Sequence, residues 1–374
     1  MSRRVGLRHV SWIAKKKVVK HGILAIYAED QYLFHSRFFD GVTWEAEKTN
    51  ETDNTRGWMF GATSESGVAH LAYSGYDAGT KLIYEKYVDG WGNKTILETD
   101  GDIAYECPTI SVDANGNLFV IWASRDQDKV FYRRYDKAGD SWAARQTWST
   151  EVFVDDTNQD HAFGQAYGNK IGFVYRAEPL VGSFGLEFAW VDTETLTYST
   201  PVTFDTSDNN AGFTYQRKSL YAAGLFWIFY EVRYGNIYYR TSSDGITWSA
   251  RTFVTSVVGG NAWDFDLWFD GTYLHYVAKA EAYKTVYRRG TPISDGSITW
   301  SAAEQVVTST KCCDYPTVTV DALGYPFIGY RDDDDLYPYV TKSSKNDGTW
   351  VTASGYPFKL ISDAEYWFVR VLPI

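Results

Sequence analysis

The sequence predicts an all-β fold: a seven-bladed β-propeller of four-stranded antiparallel blades, closed by the C-terminal strand joining blade 1. Three observations predict it. A strand–turn–strand unit ending in an aromatic anchor recurs about every 50 residues, a period proper to propeller blades. The anchors are Trp44, Trp91, Trp142, Tyr198, Trp248, Trp300 and Trp350, and the turn before each carries an aspartate: Asp40, Asp89, Asp136, Asp192, Asp244, Asp295 and Asp347. The first unit lacks an opening strand of its own, and residues 366–372 (YWFVRVL) supply one. Joining them removes two open sheet edges.

Residues 1–20 form a basic arm ahead of a single propeller domain over 21–374. Blade 1 is predicted from strands 23–28, 32–39 and 43–48, with 366–372 completing it; residues 9–13 are the rival for that closing strand. Blade 3 shows the pattern most clearly, with strands 108–112, 118–123, 130–135 and 142–148 and the turn Asp113-Ala114-Asn115-Gly116-Asn117 between the first two. Blade 6 repeats it at 265–269, 273–278, 285–289 and 298–306. Blade 7 does so at 316–320, 325–330, 337–342 and 349–353. Blades 2, 4 and 5 have their first turns at 64–67, Tyr167-Gly168-Asn169 and Ala222-Ala223-Gly224. These are hairpin signals throughout. Second strands are nearly continuous in apolar residues, as in Leu225-Phe226-Trp227-Ile228-Phe229-Tyr230, which suits a strand covered on both faces.

At 374 residues the chain exceeds what one ordinary core needs, a limit that repetition removes. Aromatic residues make up 17%, including 29 Tyr and 15 Trp, enough flat rings to fill the gaps between blades. The formal net charge is −11, although Arg3, Arg4, Arg8, Lys15, Lys16, Lys17 and Lys20 sit in an arm with no acid. The body is therefore more acidic still, which opposes nucleic acid and anionic membrane as partners. No run of about 18 apolar residues occurs, so no membrane insertion is expected. The apolar stretch 10–14 is interrupted by Ser11 and too short for a signal peptide. Cys107, Cys312 and Cys313 give no disulfide framework, and reduced thiols in a protein made in the cytoplasm are expected. No metal-ligand spacing and no Gly-x-x-x-x-Gly-Lys loop is present, so neither metal nor cofactor is expected. The histidines (9, 21, 35, 70, 161 and 275) are scattered, with only His161 placed near the candidate mouth.

The turn Ser242-Ser243-Asp244-Gly245-Ile246-Thr247-Trp248 resembles the Asp-box, or bacterial-neuraminidase repeat, Ser/Thr-x-Asp-x-Gly-x-Thr/Ser-Trp, and is one residue short of it. The segment Ser294-Asp295-Gly296-Ser297-Ile298-Thr299-Trp300 is a second imperfect copy. The resemblance to sialidase-like propellers covers all seven units. It implies that the seven turn aspartates are structural, hydrogen-bonding their own turns on the side opposite an active site. The family's Arg-Ile-Pro signature and arginine triad are not found, so no catalytic residue is assigned.

Strand direction places the loops before first strands and after second strands on one face, the top. Before first strands stand Glu106, Asp160, Asp264 with Asp266, Asp314 and Glu365. After second strands stand Arg125 and Asp126, Arg176 with Glu178, Glu231 with Arg233, Lys279 with Glu281, and Arg331 with Asp332. Of these, Arg125, Asp126, Asp264, Asp266, Arg331 and Asp332 are expected to converge. Two readings stand: a ring of mutually satisfied ion pairs, or a polar ligand site in which carboxylates, Arg and aromatic walls suit sugars. The run Asp332-Asp333-Asp334-Asp335 lacks the spaced ligands of a calcium loop and reads as a solvated loop. Function is accordingly expected to be that of a non-enzymatic ligand- or glycan-binding or structural propeller. Its layout suits a phage or virus particle protein that assembles with partners through the arm and resides in the producing cell's cytoplasm or in the particle. The alternative is a sialidase-like glycoside hydrolase using two mouth carboxylates.

Overall fold

A computed structural model describes residues 21–29, 33–50, 55–75, 81–92, 94–99, 108–124, 129–149, 163–167, 170–180, 183–206, 209–210, 215–232, 235–257, 264–280, 284–308, 313–361 and 367–374. The basic arm and the rival strand at 9–13 lie outside them.

Seven antiparallel sheets follow one another along the chain, each a blade. Blade 1 runs, from the inner strand outward, Trp367–Pro373, Ile23–Glu29, Phe34–Phe39 and Lys48–Asn50. The closing strand is thus C-terminal, paired from Ile23↔Pro373 to Glu29↔Trp367. Blade 2 is Thr55–Glu65, Val68–Gly75, Lys81–Tyr87 and Thr95–Glu98. Blade 3 is Thr109–Val112, Leu118–Ser124, Lys129–Asp136 and an outer strand split into Ser141–Trp142 and Gln146–Ser149. Blade 4 is Phe163–Tyr167, Lys170–Leu180, Ser183–Asp192 and Val202–Asp205. In blade 5 the inner position is shared by Asn209–Asn210 and Ser219–Ala222, followed by Leu225–Val232, Asn236–Ser242 and Thr252–Ser256. Blade 6 is Phe265–Phe269, Leu274–Ala280, Lys284–Pro292 and the split pair Ile298–Trp300 and Gln305–Thr308. Blade 7 is Asp314–Val320, Pro326–Arg331, Pro338–Lys342 and Phe358–Lys359.

The core is divided among the seams. Seven apolar clusters each draw mainly on two neighbouring blades, that of blades 1 and 2 also taking in Tyr215 of blade 5, and the cluster joining Phe327 and Val340 of blade 7 to Ile23, Ala25 and Val371 of blade 1 closes the ring. Side chains alternate along each strand, so one strand feeds two seams. In the second strand of blade 5, Trp227 and Phe229 face blade 6 while Phe226, Ile228 and Tyr230 face blade 4.

The turn anchors bridge to the preceding blade. Trp248 lies edge-on to Phe188 and tilted on Phe204, each ring centroid 5.2 Å away, in blade 4. Trp142 meets Tyr84 of blade 2, Tyr198 meets Tyr132 of blade 3, Trp350 meets Tyr287 of blade 6, and Trp44 stacks on Phe358 of blade 7. The turns themselves are held by their aspartates. Asp244 Oδ1 accepts the amides of Ile246 (2.8 Å) and Thr247 (2.7 Å), and Asp40 Oδ1 those of Val42 and Thr43, both at 2.8 Å. Asp192 does the same for Glu194 and Thr195, while Asp295 and Asp347 each accept one amide and the hydroxyl of the same residue, from Ser297 and Thr349. Gly245 has φ +73°, and a Cβ there would stand 3.0 Å from the Phe188 ring, so both conformation and seam packing require glycine.

The outer strands differ from expectation. In blade 1 the strand is Lys48–Asn50, and Trp44 makes only an isolated bridge to Phe39. In blade 7 residues 349–353 make only the bridge Ser343↔Thr352, and the outer strand begins at Phe358. In both, the anchoring ring is drawn onto the neighbouring blade, and the chain pairs again only past it. The outer strands predicted as continuous in blades 3 and 6 are each broken into two, with the register shifting at the break.

Candidate functional site

The top mouth of the channel is where sequence reasoning placed charge. There residues 215–218, which lead into the second piece of blade 5's inner strand, leave their own blade and cross the lumen. Tyr215 stacks on Phe60 of blade 2 (4.9 Å, 7° between planes) and lies edge-on to Phe368 of blade 1. Gln216 Nε2 donates to the Pro316 carbonyl of blade 7 at 3.1 Å. Lys218 donates to the Phe265 carbonyl of blade 6. Residues 215–218 thus plug the channel with contacts to four other blades.

Beneath the plug lies Asp266, 0% exposed. Its Oδ1 accepts the Arg217 amide, and its Oδ2 accepts the Val318 amide (2.8 Å) and Arg370 Nη1 (2.6 Å). Nearer the top, Asp314 takes Lys279 on one oxygen and Arg331 on the other, and Arg331 also reaches Asp333 at 3.7 Å. Cys313 (φ +82°) and Tyr315 (φ +55°) flank it in left-handed conformations that break the strand register and present its carboxylate. Glu231 is buried, its Oε1 accepting the Gly235 amide at 2.9 Å. Asp264, 4% exposed, has its carboxyl pushed up to about 8 by burial, with Lys279 opposing and Asp314 reinforcing the shift. Asp314 is held below its ordinary value by Lys279 and Arg331 despite its burial.

The structure therefore brings Glu231, Asp264, Asp266, Asp314 and Arg331 together, with Lys279. Asp332 caps its own turn through the amides of Asp334 (2.9 Å) and Asp335 (3.3 Å). Glu106, Arg125, Asp126, Asp160, Arg233, Glu281 and Glu365 lie outside the described residues, and Arg176 is described only as backbone within its strand. The residues missed from sequence are Tyr215, Gln216, Arg217, Lys218 and Arg370. One signal was available: the residues leading directly into Ser219–Ala222 contain no acid and carry Gln216-Arg217-Lys218 instead.

Two clefts among the described residues open on the bottom face. One, of about 620 Å³, is the lower mouth of the channel, lined by Ser64, Trp268, Asp270, Tyr273, Asp321 and Ile374 among others. The other, of about 680 Å³, lies in the seam between blades 7 and 1. It exists because residues 343–357 make a long excursion before the outer strand of blade 7. Its walls are the rings of Trp44, Tyr325, Tyr356 and Phe358, with Ser344 and Lys342 supplying polar atoms. Trp44 and Phe358 stack 5.3 Å apart at 13°. The rim carries Val42, 83% exposed. Lys342 pairs with Asp321 at 3.4 Å, and its ammonium lies 4.7 Å from the Phe327 ring centroid. Among the described residues no group of His, Cys, Asp and Glu is placed to hold a metal ion, and no helix is long and apolar enough to cross a membrane.

No protein-family model matches the chain, and no curated protein matches it in sequence. Solved structures do. The BP39L lectin of Burkholderia pseudomallei superposes with a TM-score of 0.67 at 11% identity, over 92% of this chain and 97% of that one. The intramolecular trans-sialidase of Ruminococcus gnavus gives 0.52 at 11% identity, over 83% and 94%. AofleA of Arthrobotrys oligospora gives 0.52 at 9% identity, over 84% and 88%. At these identities the likeness shows the fold alone.

Proposed function

We propose that this chain is a non-enzymatic, glycan-binding propeller whose binding cleft is the seam between blades 7 and 1. The observation that carries the reading is the cleft of about 680 Å³ itself. Flat rings offer the apolar faces on which sugar C–H groups pack, while serine and threonine hydroxyls and an ammonium offer directional hydrogen bonds. Val42 leaves an apolar side chain in water at the rim, which a ligand would cover. The likeness to a lectin is compatible with this reading. The turn aspartates support a finer affinity, that of a degenerate Asp-box propeller. A rigid acidic disc with a basic arm also suits a subunit of a virus particle, the arm being its point of attachment.

At the top mouth, the ion pairs of Asp314 and Asp266 favour a structural role for these carboxylates. One feature there favours the hydrolase reading: Asp264 keeps its proton near neutrality while Asp314 is held ionised, the division of labour of a general acid and its partner. A glycan array followed by calorimetry tests the seam. Val42→Arg, a change in an exposed side chain, is expected to abolish binding without changing the melting temperature. Undiminished binding in Val42→Arg would place the site elsewhere. Turnover of fluorogenic glycosides that is lost in Asp264→Asn would establish the hydrolase instead.

A further inference from the structure

The channel core contains more positive charge than its partners absorb. Arg370 is 0% exposed, and only its Nη1 is bonded, to Asp266; its Nε and Nη2 are buried without a hydrogen-bond partner. Arg217 is half-buried overall, but its Nη1 is shut off from solvent and also unpartnered. Its guanidinium lies over the Trp268 ring, 4.0 Å from the centroid. Trp268 Nε1–H is a further buried donor without a partner. Among the described residues Arg217 makes no ion pair, and its backbone amide, not its side chain, is what Asp266 accepts.

The two guanidinium groups are near enough to feel each other and the one carboxylate of Asp266. Lys218, a further cation and itself fully buried, has Asp264, Asp266 and Glu231 around it, and an ammonium can shed its proton where burial demands. A guanidinium cannot. An uncompensated buried charge is costly, and so is a buried donor with nothing to donate to. Water would satisfy the donors but would leave the charge.

We propose that the channel lumen binds a small inorganic anion, a halide or phosphate, held between Arg217 and Arg370. Asp266 neutralises one guanidinium and the anion neutralises the other, with the free N–H groups of Arg370 and Arg217 as its donors. The lower cleft, with Trp268 in its wall, is its route in. The proposal is independent of the seam reading, since the two places share no residue.

Crystals of the full chain grown with sodium bromide, and anomalous scattering at the bromine edge, test it directly. A peak in the lumen within hydrogen-bonding distance of Arg370 is expected. In parallel, melting temperatures are compared in bromide, chloride and phosphate against methanesulfonate at constant ionic strength. A saturable rise of a few degrees with at least one of the three is expected, and Arg217→Met should lose most of it. An empty lumen in the anomalous map together with a melting temperature indifferent to the anion overturns the proposal. So does an equal, saturable response in Arg217→Met. If that variant does not fold, the map of the unaltered chain decides alone.

Discussion

Asp266 and Arg370 stand 104 residues apart in sequence and 2.6 Å apart in space, both fully buried, and they join blade 6 to blade 1 past the blade between them. Through the Val318 amide the same carboxylate holds that intervening blade 7 as well. One side chain thus fixes three consecutive inner strands at the point where the ring closes.

Removing either partner alone should be severe. Asp266→Ala leaves Arg370 buried and uncompensated, and is expected to cost about 3–5 kcal/mol. Asp266→Ala combined with Arg370→Met should recover much of that loss. Denaturant titration of the two single variants and the double variant measures the coupling. Additive losses would mean that the pair does not interact in solution.

Asp264 gives a pH dependence with a definite sign. Its folded-state value is raised to about 8 from an ordinary 3.8. Its contribution is therefore fully present below about pH 4, declines as pH rises from there, and is lost by about pH 8. Asp314 and Asp244, both lowered, act oppositely, their stabilisation being lost as pH falls below about 4. Asp264→Asn cannot ionise, so its melting temperature relative to wild type should climb between pH 5 and about 8, then level off. A flat difference would show that Asp264 is ionised throughout.

The seam anchors should behave as core residues even though they sit in turns. Trp248→Ala is expected to cost about 3 kcal/mol, since the ring packs on Phe188 and Phe204 of the preceding blade. Leu323→Ala, at a side chain 73% exposed, should change nothing and serves as the control. Differential scanning calorimetry on both reports the contrast.

Tyr215 should matter for its ring. Tyr215→Phe preserves the stack on Phe60 and is expected to melt close to wild type. Tyr215→Ala opens the plug and should cost about 3–5 kcal/mol. Amide exchange of the Phe60 strand should quicken in Tyr215→Ala only; equal exchange in both would show that the plug does not brace that strand.

What could be read from the sequence was whatever each repeat must solve for itself. The turn aspartates, the anchoring rings and the apolar second strands recur because every seam needs them, so the blade number and the closing strand were legible. Outer strands were less so, because whether Trp44 or Trp350 leads a strand or folds over a neighbour is decided across the seam. The plug's contacts lay beyond sequence reasoning: the run Gln216-Arg217-Lys218 marks the segment as different, but nothing local says that Tyr215 should find Phe60 in a distant blade. Arg370 was hidden for a different reason, being a charge inside the apolar run Trp367-Phe368-Val369-Arg370-Val371, where only the carboxylate of blade 6 explains it. The seam cleft depends on the length of residues 343–357, and length alone does not show whether a loop folds back or stands away.

The closing strand also fixes how the disc would respond to force. Ile374 N donates to the Gly22 carbonyl at 2.9 Å, and the pairing runs antiparallel inward from there, beginning at Ile23↔Pro373. A load applied between Gly22 and Ile374 therefore pulls at one end of the ladder, across it rather than along it. Its hydrogen bonds would part in sequence and never share the tension. The same closure, loaded between Glu29 and Ile374, would be sheared with all its bonds engaged at once. A ring that is thermodynamically well fastened is in this way a zip from one side and a clamp from the other.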